Sequence, residues 1–259
     1  MNDSGIFDEL VNGAWPALDT EPIGGWEARY ANGVTKRANS VLCTGDPGEI
    51  TTAIETAERF YADRGLPAVF QVSPAARPDA LDELLADRGY TVVDPTLIMI
   101  RELDRPYGDH RVTVDDGPSP EWLDLWWSVD GRYGSQLPTA ARILTGVAAS
   151  YALIEEDGVV IATGRGVPQG ECLGIYCMAV APAARRRGLG REVLRALLDQ
   201  GRDRGCARSY LAVVESNAGA RALYEQEGFR VVGGYHYRLA SAPTRRRIPT
   251  HRPCQEAAS

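Results

Sequence analysis

The chain has little or nothing of several features that mark large classes of protein. It contains one lysine, Lys36, among 259 residues, and no apolar run approaches the roughly 20 residues of a membrane-spanning helix. Its five cysteines include no C-x-x-C pair, and its three histidines are scattered along the chain. These absences argue against a membrane protein, a disulfide framework, a metal cluster and a Walker phosphate loop, which needs a lysine after its second glycine.

The first residues and the overall charge narrow the setting further. The opening MNDSGIFDEL has neither a basic region nor a long apolar region, so we expect a cytoplasmic protein with reduced thiols and no membrane partner. Hydrophobic residues make up 44% of the chain and charged residues 24%, as in soluble globular proteins. A net charge of −7 argues against a nucleic-acid partner and favours a cationic or neutral small substrate.

An arginine- and glycine-rich turn stands between a predicted strand and a predicted helix. The run 173–180 (LGIYCMAV) is apolar like a buried strand, and from Arg191 onward apolar residues recur at helical spacing. Between them lies Arg-Arg-Arg-Gly-Leu-Gly, residues 185–190. A helix that starts in this way presents unbonded main-chain N–H groups, and the two glycines let an anion come close. We interpret the turn as a diphosphate-binding loop, with a helix start and solvated arginines as the alternative.

The residues after this helix carry a second pattern. An apolar strand over 209–214 is followed by Asn217, by a short helix predicted over 218–227, and by Gly228-Phe229. Together R-x-x-G-x-G, L-x-V-x-x-x-N-x-x-A-x-x-L-Y and G-F resemble the GNAT superfamily of acyl-CoA N-acyltransferases. The matching residues are Arg185, Gly188, Gly190, Leu211, Val213, Asn217, Ala220, Leu223, Tyr224, Gly228 and Phe229.

The resemblance implies a reaction, a cosubstrate and a set of site residues. It implies metal-free transfer of an acetyl group from acetyl-CoA to a primary amine of a small molecule, by direct attack in a ternary complex. Tyr224 is then expected to donate a proton to the leaving thiolate, and the pantetheine arm to lie like an added strand along 178–180. The predicted cofactor-binding residues are Met178, Ala179, Val180, Arg185, Arg186, Arg187, Gly188, Leu189, Gly190, Arg191 and Asn217.

The sequence departs from the family pattern at the general base. Where the family often has a carboxylate on the strand before the loop, this chain has Tyr176 beside Cys177. Glu171 stands further back on the same strand and is the predicted catalytic carboxylate, acting through water, with Glu215 as the other option. The alternative is that both are solvated surface carboxylates. Cys177 has no histidine or lysine near it in sequence, so we expect a buried thiol rather than a nucleophile.

Aromatic residues predict where the acceptor binds. Trp122 and Trp126 share one face of a predicted helix and are expected in the core. Trp127 and Tyr133 fall off that face and, with Tyr176, are the predicted substrate-lining residues. The acceptor stays open between aminoglycosides, amino acids and polyamines, and the protein is expected to be a monomer or a homodimer.

The first half is predicted to be a degenerate copy of the second. Its segment LLADRGYTVVDPTLIMIREL resembles LYEQEGFRVVGGYHYRLA when residue 89 is set on residue 228, an offset of 139. The copy has no R-x-x-G-x-G, and Leu85 stands where the second half has Tyr224. The segment WEARYANGVTKRANSV resembles the start of tandem GNAT proteins of actinobacteria, whose first domain is degenerate. Within it, alternating residues on either side of Asn32-Gly33 predict a hairpin.

The predicted fold class is α/β with a mixed α+β sheet: two GNAT-like domains, each a twisted, mostly antiparallel sheet flanked by helices. The predicted domains are a degenerate GNAT-like domain over 1–104, an N-acetyltransferase domain with the acetyl-CoA site over 105–240, and a disordered tail over 241–259. Two rival functions use the same loop residues. One is a regulatory module that binds acyl-CoA without turnover, and the other is a protein N-acetyltransferase.

Overall fold

Helices and strands alternate along most of the chain. The computed structural model describes residues 4–108, 111–130 and 135–240. The first half contains α1 (Ser4–Ala14), β1 (Asp19–Ile23), β2 (Trp26–Tyr30), β3 (Val41–Leu42), α2 (Ile50–Ala62), β4 (Val69–Val72), α3 (Leu81–Asp87) and β5 (Thr91–Glu102). The second half contains β6 (Thr113–Asp115), α4 (Pro120–Asp130), α5 (Leu137–Thr145), β7 (Ser150–Glu156), β8 (Val159–Gln169), β9 (Cys172–Val180), α6 (Leu189–Asp203), β10 (Arg208–Val214), α7 (Ala218–Gln226) and β11 (Arg230–Leu239).

The strands of the described residues form one sheet of eleven strands. Their order is β1-β2-β3-β4-β11-β5-β10-β9-β8-β7-β6. The pairs β3–β4 and β9–β10 are parallel, and the other neighbours are antiparallel, so the predicted mixed α/β class is confirmed. Side chains alternate across the sheet: Ile175 of β9 joins the apolar cluster under α6, and Tyr176 joins the cluster under α4. None of the helices in the described ranges is long and apolar enough to cross a membrane.

The last strand of each half lies against strands of the other half. β5 ends the first half, yet it pairs with β10 on one side and β11 on the other. β11 ends the second half, yet it also pairs with β4. The two halves therefore share one continuous hydrogen-bonded ladder. The division into domains 1–104 and 105–240 stays a prediction, and a cut at that point would strip β10 and β11 of their common neighbour.

Corresponding elements of the two halves are evenly spaced. α2 and α6 begin at residues 50 and 189, β4 and β10 at 69 and 208, and β5 and β11 at 91 and 230, so each pair is 139 residues apart. This spacing agrees with the repeat predicted from sequence, and the common origin of the halves stays a prediction. In each half a helix joins two parallel strands, which places its N-terminus at the carboxyl end of a strand.

The tight turn predicted at Asn32-Gly33 is wrong, although the segments on either side of it pair antiparallel. β2 pairs with β3, but a loop over 31–40 separates them, and the tight turn joins β1 to β2 instead. The Asn39 side chain organises this loop. Its Oδ1 accepts hydrogen bonds from the N–H groups of Ala31 and Gly33 at 2.8 and 2.9 Å, and its Nδ2 donates to two carbonyls of the same loop at 2.7 and 2.8 Å. These local bonds replace a strand ladder, because a side-chain amide offers the backbone an alternative set of partners.

Candidate active site

A cleft opens where two parallel strands separate. β9 and β10 pair over residues 172–175 and 208–211 and then diverge. Beyond that point lies a cavity of about 360 Å³. The first half contributes Trp15, Thr35, Lys36, Arg37, Asp94 and Thr96 to its walls, and the second half contributes Trp126, Val129, Asp130, Ile175, Tyr176, Cys177, Met178, Ala179, Ala212, Val213, Val214, Asn217, Tyr224, Tyr235 and Tyr237.

A β-bulge shapes the β9 side of the cleft. Tyr176 pairs with Arg165 and Ala179 with Thr163, so Gly164 alone faces two residues of β9. The bulged residue Cys177 has φ +53°. Gly164 has to be glycine for packing reasons, since a Cβ there would lie 2.6 Å from a methyl carbon of Val193 and 2.7 Å from the Met178 sulfur. The bulge thus kinks β9 away from β10 at the point where Met178 and Ala179 line the cleft.

The predicted diphosphate loop forms an open helix N-terminus. Gly188 is the N-cap of α6, has φ +83°, and provides no side-chain cap. The Gly188 carbonyl accepts from the N–H groups of Arg191 at 2.9 Å and Glu192 at 3.1 Å, which are the first bonds of the helix. The N–H groups of Gly188, Leu189 and Gly190 therefore precede the helical ladder, at the positive end of the helix dipole. Leu189 is buried in the core beneath the loop and fixes the start of the helix.

The arginines of the loop differ in how they are paired. The Arg187 Nη2 lies 2.7 Å from the Glu156 carboxylate, and the Arg191 Nε lies 2.9 Å from that of Glu227. Arg185 and Arg186 are exposed and have no carboxylate partner among the described residues. Arg186 adopts φ +64°, and the Arg185 Nε donates to the carbonyl of Val180 at 3.4 Å. Two of the predicted arginines are thus available to an anion, and two already neutralise carboxylates.

Tyr224 lies on the wall of the cleft that α7 forms. Its side chain is 7% exposed, and burial raises the pKa of its hydroxyl to about 12. No described residue forms a hydrogen bond with this hydroxyl. α7 is fixed by its N-cap, Asn217, whose Oδ1 accepts from the N–H of Ala220 at 3.1 Å. The structure therefore brings Tyr224 and Asn217 to the same cleft as Met178 and Ala179.

Tyr176 and Cys177 occupy the position on β9 where the family resemblance implies a carboxylate. The Tyr176 hydroxyl lies 2.9 Å from that of Tyr210, and burial raises the pKa of Tyr176 to about 12. Burial likewise raises the pKa of the Cys177 thiol to about 12. Both groups are protonated near neutral pH, so neither is a base or an anionic nucleophile. Cys177 is half-buried and Tyr176 is buried, and both contribute to the wall of the cleft. The substrate-lining role of Tyr176 stays a prediction.

Other predicted site residues lie elsewhere. Glu171 is exposed in the turn between β8 and β9, roughly 20 Å along the strand from Met178 at about 3.3 Å per residue. Trp127 stacks beside Trp126, with ring centres 5.6 Å apart, but does not line the cleft. Trp126, expected in the core, is buried and also lines the cleft. Tyr133 lies outside the described residues.

No sequence pattern predicts the wall of the cleft that the first half provides. Lys36 and Arg37 sit in the loop 31–40, which had been predicted as part of a hairpin. Asp94 stands at φ +47° within β5, and its carboxylate lies 2.9 Å from the Lys36 ammonium. The one unusual sequence feature of this wall is Lys36, which is the single lysine of an arginine-rich chain. In the ranges that the structure describes, no group of three histidine, cysteine, aspartate or glutamate residues is placed to hold a metal ion.

Comparison with known proteins identifies the family. The family model described as the probable histone acetyltransferase Rv0428c C-terminal region matches residues 9–238. The chain belongs to this GNAT family of N-acetyltransferases. It is thus an acyltransferase, and the family match runs through both halves.

Individual relatives support the same assignment. A Bacillus subtilis protein named uncharacterized N-acetyltransferase YobR is 30% identical over 248 residues, which cover 92% of this chain and 99% of the relative. The probable histone acetyltransferase Rv0428c of Mycobacterium tuberculosis is 29% identical over 231 residues, covering 87% of this chain and 70% of the relative. A GCN5-related N-acetyltransferase from Kribbella flavida shares the fold, with a TM-score of 0.69 at 17% identity over 92% of this chain and 95% of that one.

Proposed function

We propose that this acetyltransferase moves the acetyl group of acetyl-CoA to a primary amine of a small molecule, by direct attack in a ternary complex. The observation that carries the proposal is the proximity of three features beside the cleft, where a Cβ on Gly190 of α6 would lie 3.6 Å from the Val180 side chain and 3.7 Å from that of Leu223. The three features are the uncapped N-terminus of α6, the strand edge of β9 left open beside β10, and the hydroxyl of Tyr224. The first suits a diphosphate, the second an extended arm, and the third a proton donor.

The loop residues fit the CoA diphosphate. The N–H groups of Gly188, Leu189 and Gly190 point out of the helix start and carry its positive dipole end. Arg185 and Arg186 add guanidinium groups that suit phosphate oxygens. Arg187 and Arg191 already pair with Glu156 and Glu227, so we assign them a supporting role at the rim of the site.

The open edge of β9 fits the pantetheine arm. From residue 176 onward β9 stays paired with β8 on one side and has left β10 on the other, so the edge of β9 over residues 178–180 that faces away from β8 has no strand partner among the described residues. An arm lying there as an added strand brings the thioester to the bulge. A main-chain N–H at that point stabilises the oxyanion of the tetrahedral intermediate, and losing such a donor typically raises a barrier by about 3 kcal/mol.

The transfer itself requires two proton movements. The amine nitrogen attacks the thioester carbon, an N–C bond forms, and the C–S bond breaks. Tyr224 donates its proton to the departing thiolate sulfur and recovers one from solvent. Its raised pKa keeps it protonated until then. The acceptor must lose a proton, since an alkylamine of pKa near 10.4 is less than about one part in a thousand neutral at pH 7.

The group that accepts the proton of the attacking amine must lie inside the cleft. Glu171 is too distant for a role even through one water molecule, so the proposal leaves it out. The carboxylates that line the cleft are Asp94, on β5, and Asp130, at the end of α4. Asp94 already pairs with Lys36 at 2.9 Å, and we propose that a water chain carries the amine proton to one of these two carboxylates.

A screen of amines tests the proposal. Purified protein, acetyl-CoA and single amines are mixed, free CoA is detected by its thiol, and the product is identified by mass. Amine-dependent CoA release with an acetylated product supports acetyl transfer. Binding of acetyl-CoA with no release over aminoglycosides, amino acids, polyamines and peptides would support the regulatory module instead.

A protein acceptor is the second candidate. Rv0428c, a relative over most of this chain, carries the name of a probable histone acetyltransferase. Against it stands the wall formed by Trp15 and the loop 31–40, which closes the cleft on the side of the first half. Peptides with free N-termini or lysines belong in the same screen. If they are acetylated with a higher kcat/KM than every small amine, the small-molecule proposal fails.

A further inference from the structure

Arg37 is a half-buried cation in the cleft that lacks a carboxylate partner among the described residues. Its Nη2 donates a long hydrogen bond of 3.5 Å to the Tyr235 hydroxyl. Its Nε is buried with no hydrogen-bond partner, and no described residue bonds to its Nη1. Arginine stays charged at any ordinary pH and offers five N–H donors. A buried N–H group without a hydrogen bond costs free energy, so the donors of Arg37 are suited to bind a ligand.

Two other arginines, both fully buried, find oxygen acceptors in the protein for both of their terminal Nη groups. Arg29 donates to the carbonyl of Ser40 and to side-chain oxygens of Ser40, Asn12 and Gln71, at 2.7 to 3.0 Å. Arg165 donates from Nη1 and Nη2 to two main-chain carbonyls at 2.9 and 2.7 Å, and only its Nε, like that of Arg37, has no partner. The fold therefore provides oxygen acceptors where an arginine serves only to hold the structure. Arg37 has none of comparable quality.

Aromatic rings hold the Arg37 guanidinium in place without consuming its donors. Its central carbon lies 5.5 Å from the ring centre of Trp15 and 5.6 Å from that of Tyr176. Ring faces attract a cation and leave the guanidinium edge free for an oxygen pair. The same rings, with Trp126 opposite, give this part of the cleft an apolar surface.

The carboxylates that line the cleft do not neutralise the charge of Arg37. Asp94 is occupied by Lys36 at 2.9 Å. Asp130 also lines the cleft, but it forms no ion pair with Arg37. Among the described residues of the cleft, Arg37 is thus the cation whose charge no carboxylate neutralises.

We propose that Arg37 binds a carboxylate of the acceptor, so that the acceptor is an amine that also carries a carboxylate and an apolar body. Free amino acids with apolar or aromatic side chains have this chemistry. The carboxylate takes the guanidinium edge in a paired, charge-assisted contact, and the side chain packs on Trp15, Trp126 and Tyr176. This inference rests on the proposed function, because it assigns the acceptor half of the same cleft.

The test compares phenylalanine, phenylalaninamide and 2-phenylethylamine, which share the aromatic body and the amine, and it expresses kcat/KM per neutral amine because replacing the carboxylate also changes the pKa of the neighbouring ammonium. We expect the wild-type protein to acetylate phenylalanine with a kcat/KM about tenfold to a hundredfold above the other two, the range that a charged hydrogen-bonded contact supplies. Equal or better turnover of the amide or the amine would overturn the proposal.

Variants assign the preference to Arg37. Arg37→Met should bring the acid-to-amide ratio close to one, mainly through KM for phenylalanine, and Arg37→Lys should keep part of it. Lys36→Gln is the matched control, because it removes the neighbouring positive charge that Asp94 already neutralises. If Lys36→Gln abolished the preference for the acid as fully as Arg37→Met, the preference would depend on the net charge of the cleft and not on a contact with one residue. The assignment to Arg37 would then be wrong.

A binding measurement separates this inference from the proposed function. N-acetylphenylalanine and N-acetylphenylalaninamide are titrated into the protein while tryptophan fluorescence is followed, since Trp15 and Trp126 line the cleft. We expect the acid to bind at least about tenfold more tightly than the amide. Selective binding of the acid with no turnover of any amine would defeat acetyl transfer and leave the carboxylate site standing. Absence of binding, or equal binding, would overturn the carboxylate site even if other amines are acetylated.

Discussion

Glu49 and Gly188 occupy the same position at the start of corresponding helices, 139 residues apart. Glu49 is the N-cap of α2, and its two carboxylate oxygens accept hydrogen bonds from the N–H groups of Thr51 and Thr52 at 3.0 and 2.7 Å. These bonds, above all those from Thr52, lower the pKa of Glu49 to about 2. Gly188 has no side chain, so the N-terminus of α6 stays open. The first half thus fills its own anion site with a carboxylate, and the second half leaves it for a ligand.

This relationship predicts that a glutamate at position 188 will close the acetyl-CoA site. Gly188→Glu should place a carboxylate on the first N–H groups of α6 and repel the diphosphate. Gly188→Gln is the control, because both side chains suffer the same strain at φ +83° and differ only in charge. We expect the Kd for acetyl-CoA, measured by calorimetry, to rise at least about tenfold more in the glutamate variant. Equal Kd values in the two variants would show that the diphosphate binds elsewhere.

Tyr224→Phe should slow the chemical step without weakening acetyl-CoA binding. The change removes the proton donor and keeps the ring that packs on Phe229, 5.9 Å away. We expect kcat to fall about a hundredfold, as is common for loss of a general acid, with the Kd for acetyl-CoA within about twofold. Tyr90→Phe is the matched control, since its hydroxyl bonds to Glu58 at 2.8 Å outside the cleft.

The pH profile gives a second test of Tyr224. Burial raises its pKa above the usual value of 10 to about 12, so the proton-donating form persists as pH rises. The kcat of the wild-type enzyme should therefore show no loss from tyrosine ionisation below about pH 11. An unchanged kcat in Tyr224→Phe would remove this residue from the mechanism.

The parts of the site that the sequence predicts are those built from neighbours in the chain. The loop 185–190 and the Asn217–Tyr224 helix are set by glycine, an N-cap and helical spacing, all of which act within one or two turns. The opposite wall depends on distant pairings. Arg37 reaches the cleft because Asn39 folds its loop, and Asp94 reaches it because β5 enters the sheet between β10 and β11. No local pattern encodes either event.

The position of Glu171 illustrates the same limit. It was predicted on the strand before the loop, but it lies in the turn just ahead of β9, and this long strand pairs with β10 only at its first end. The cleft opens at the other end, so proximity in sequence to the loop did not mean proximity in space. The register at which β9 and β10 separate decides this, and it follows from the bulge at Cys177.

Asp82 should make the stability of the protein depend on acid pH. Its carboxylate accepts hydrogen bonds from the Arg238 Nε at 2.7 Å and Nη2 at 2.9 Å, and it lies 2.7 Å from the His236 ring. The bond from Arg238 is the main cause that lowers the pKa of Asp82 to about 2. The folded-state pKa thus lies below the unfolded value of 3.8, so this stabilisation is present above pH 3.8 and is lost as pH falls through 2.

Asp82→Asn tests this contact between α3 and β11. We expect a lower free energy of unfolding in urea at pH 7, by less than about 1 kcal/mol because the carboxylate is more than a third exposed, and a vanishing difference near pH 2. Asp79→Asn is the control, since the carboxylate of Asp79 is 90% exposed and should matter less. A penalty of the same size at pH 7 and pH 2.5 would mean that Asp82 acts through packing and not through its charge.

Residues 105–240 alone should fail to fold, although the sequence predicts them as a domain. In the whole chain, β5 lies between β10 and β11, and its pairing with β10 runs without interruption over 96–102 and 208–214. Without β5, these two strands lose their common neighbour and expose main-chain groups and the apolar surface that Ile98 and Met99 cover. We expect the fragment to give no near-UV circular dichroism and no cooperative unfolding transition, and the intact chain to unfold in one transition.

Adding residues 1–104 in trans should restore acetyl-CoA binding, because β5 can then pair with β10 and β11 again. A fragment 105–240 that unfolds cooperatively and binds acetyl-CoA by itself would instead establish an independent domain. The pairing of β5 with β10 and β11 would then not be required for the second half to fold.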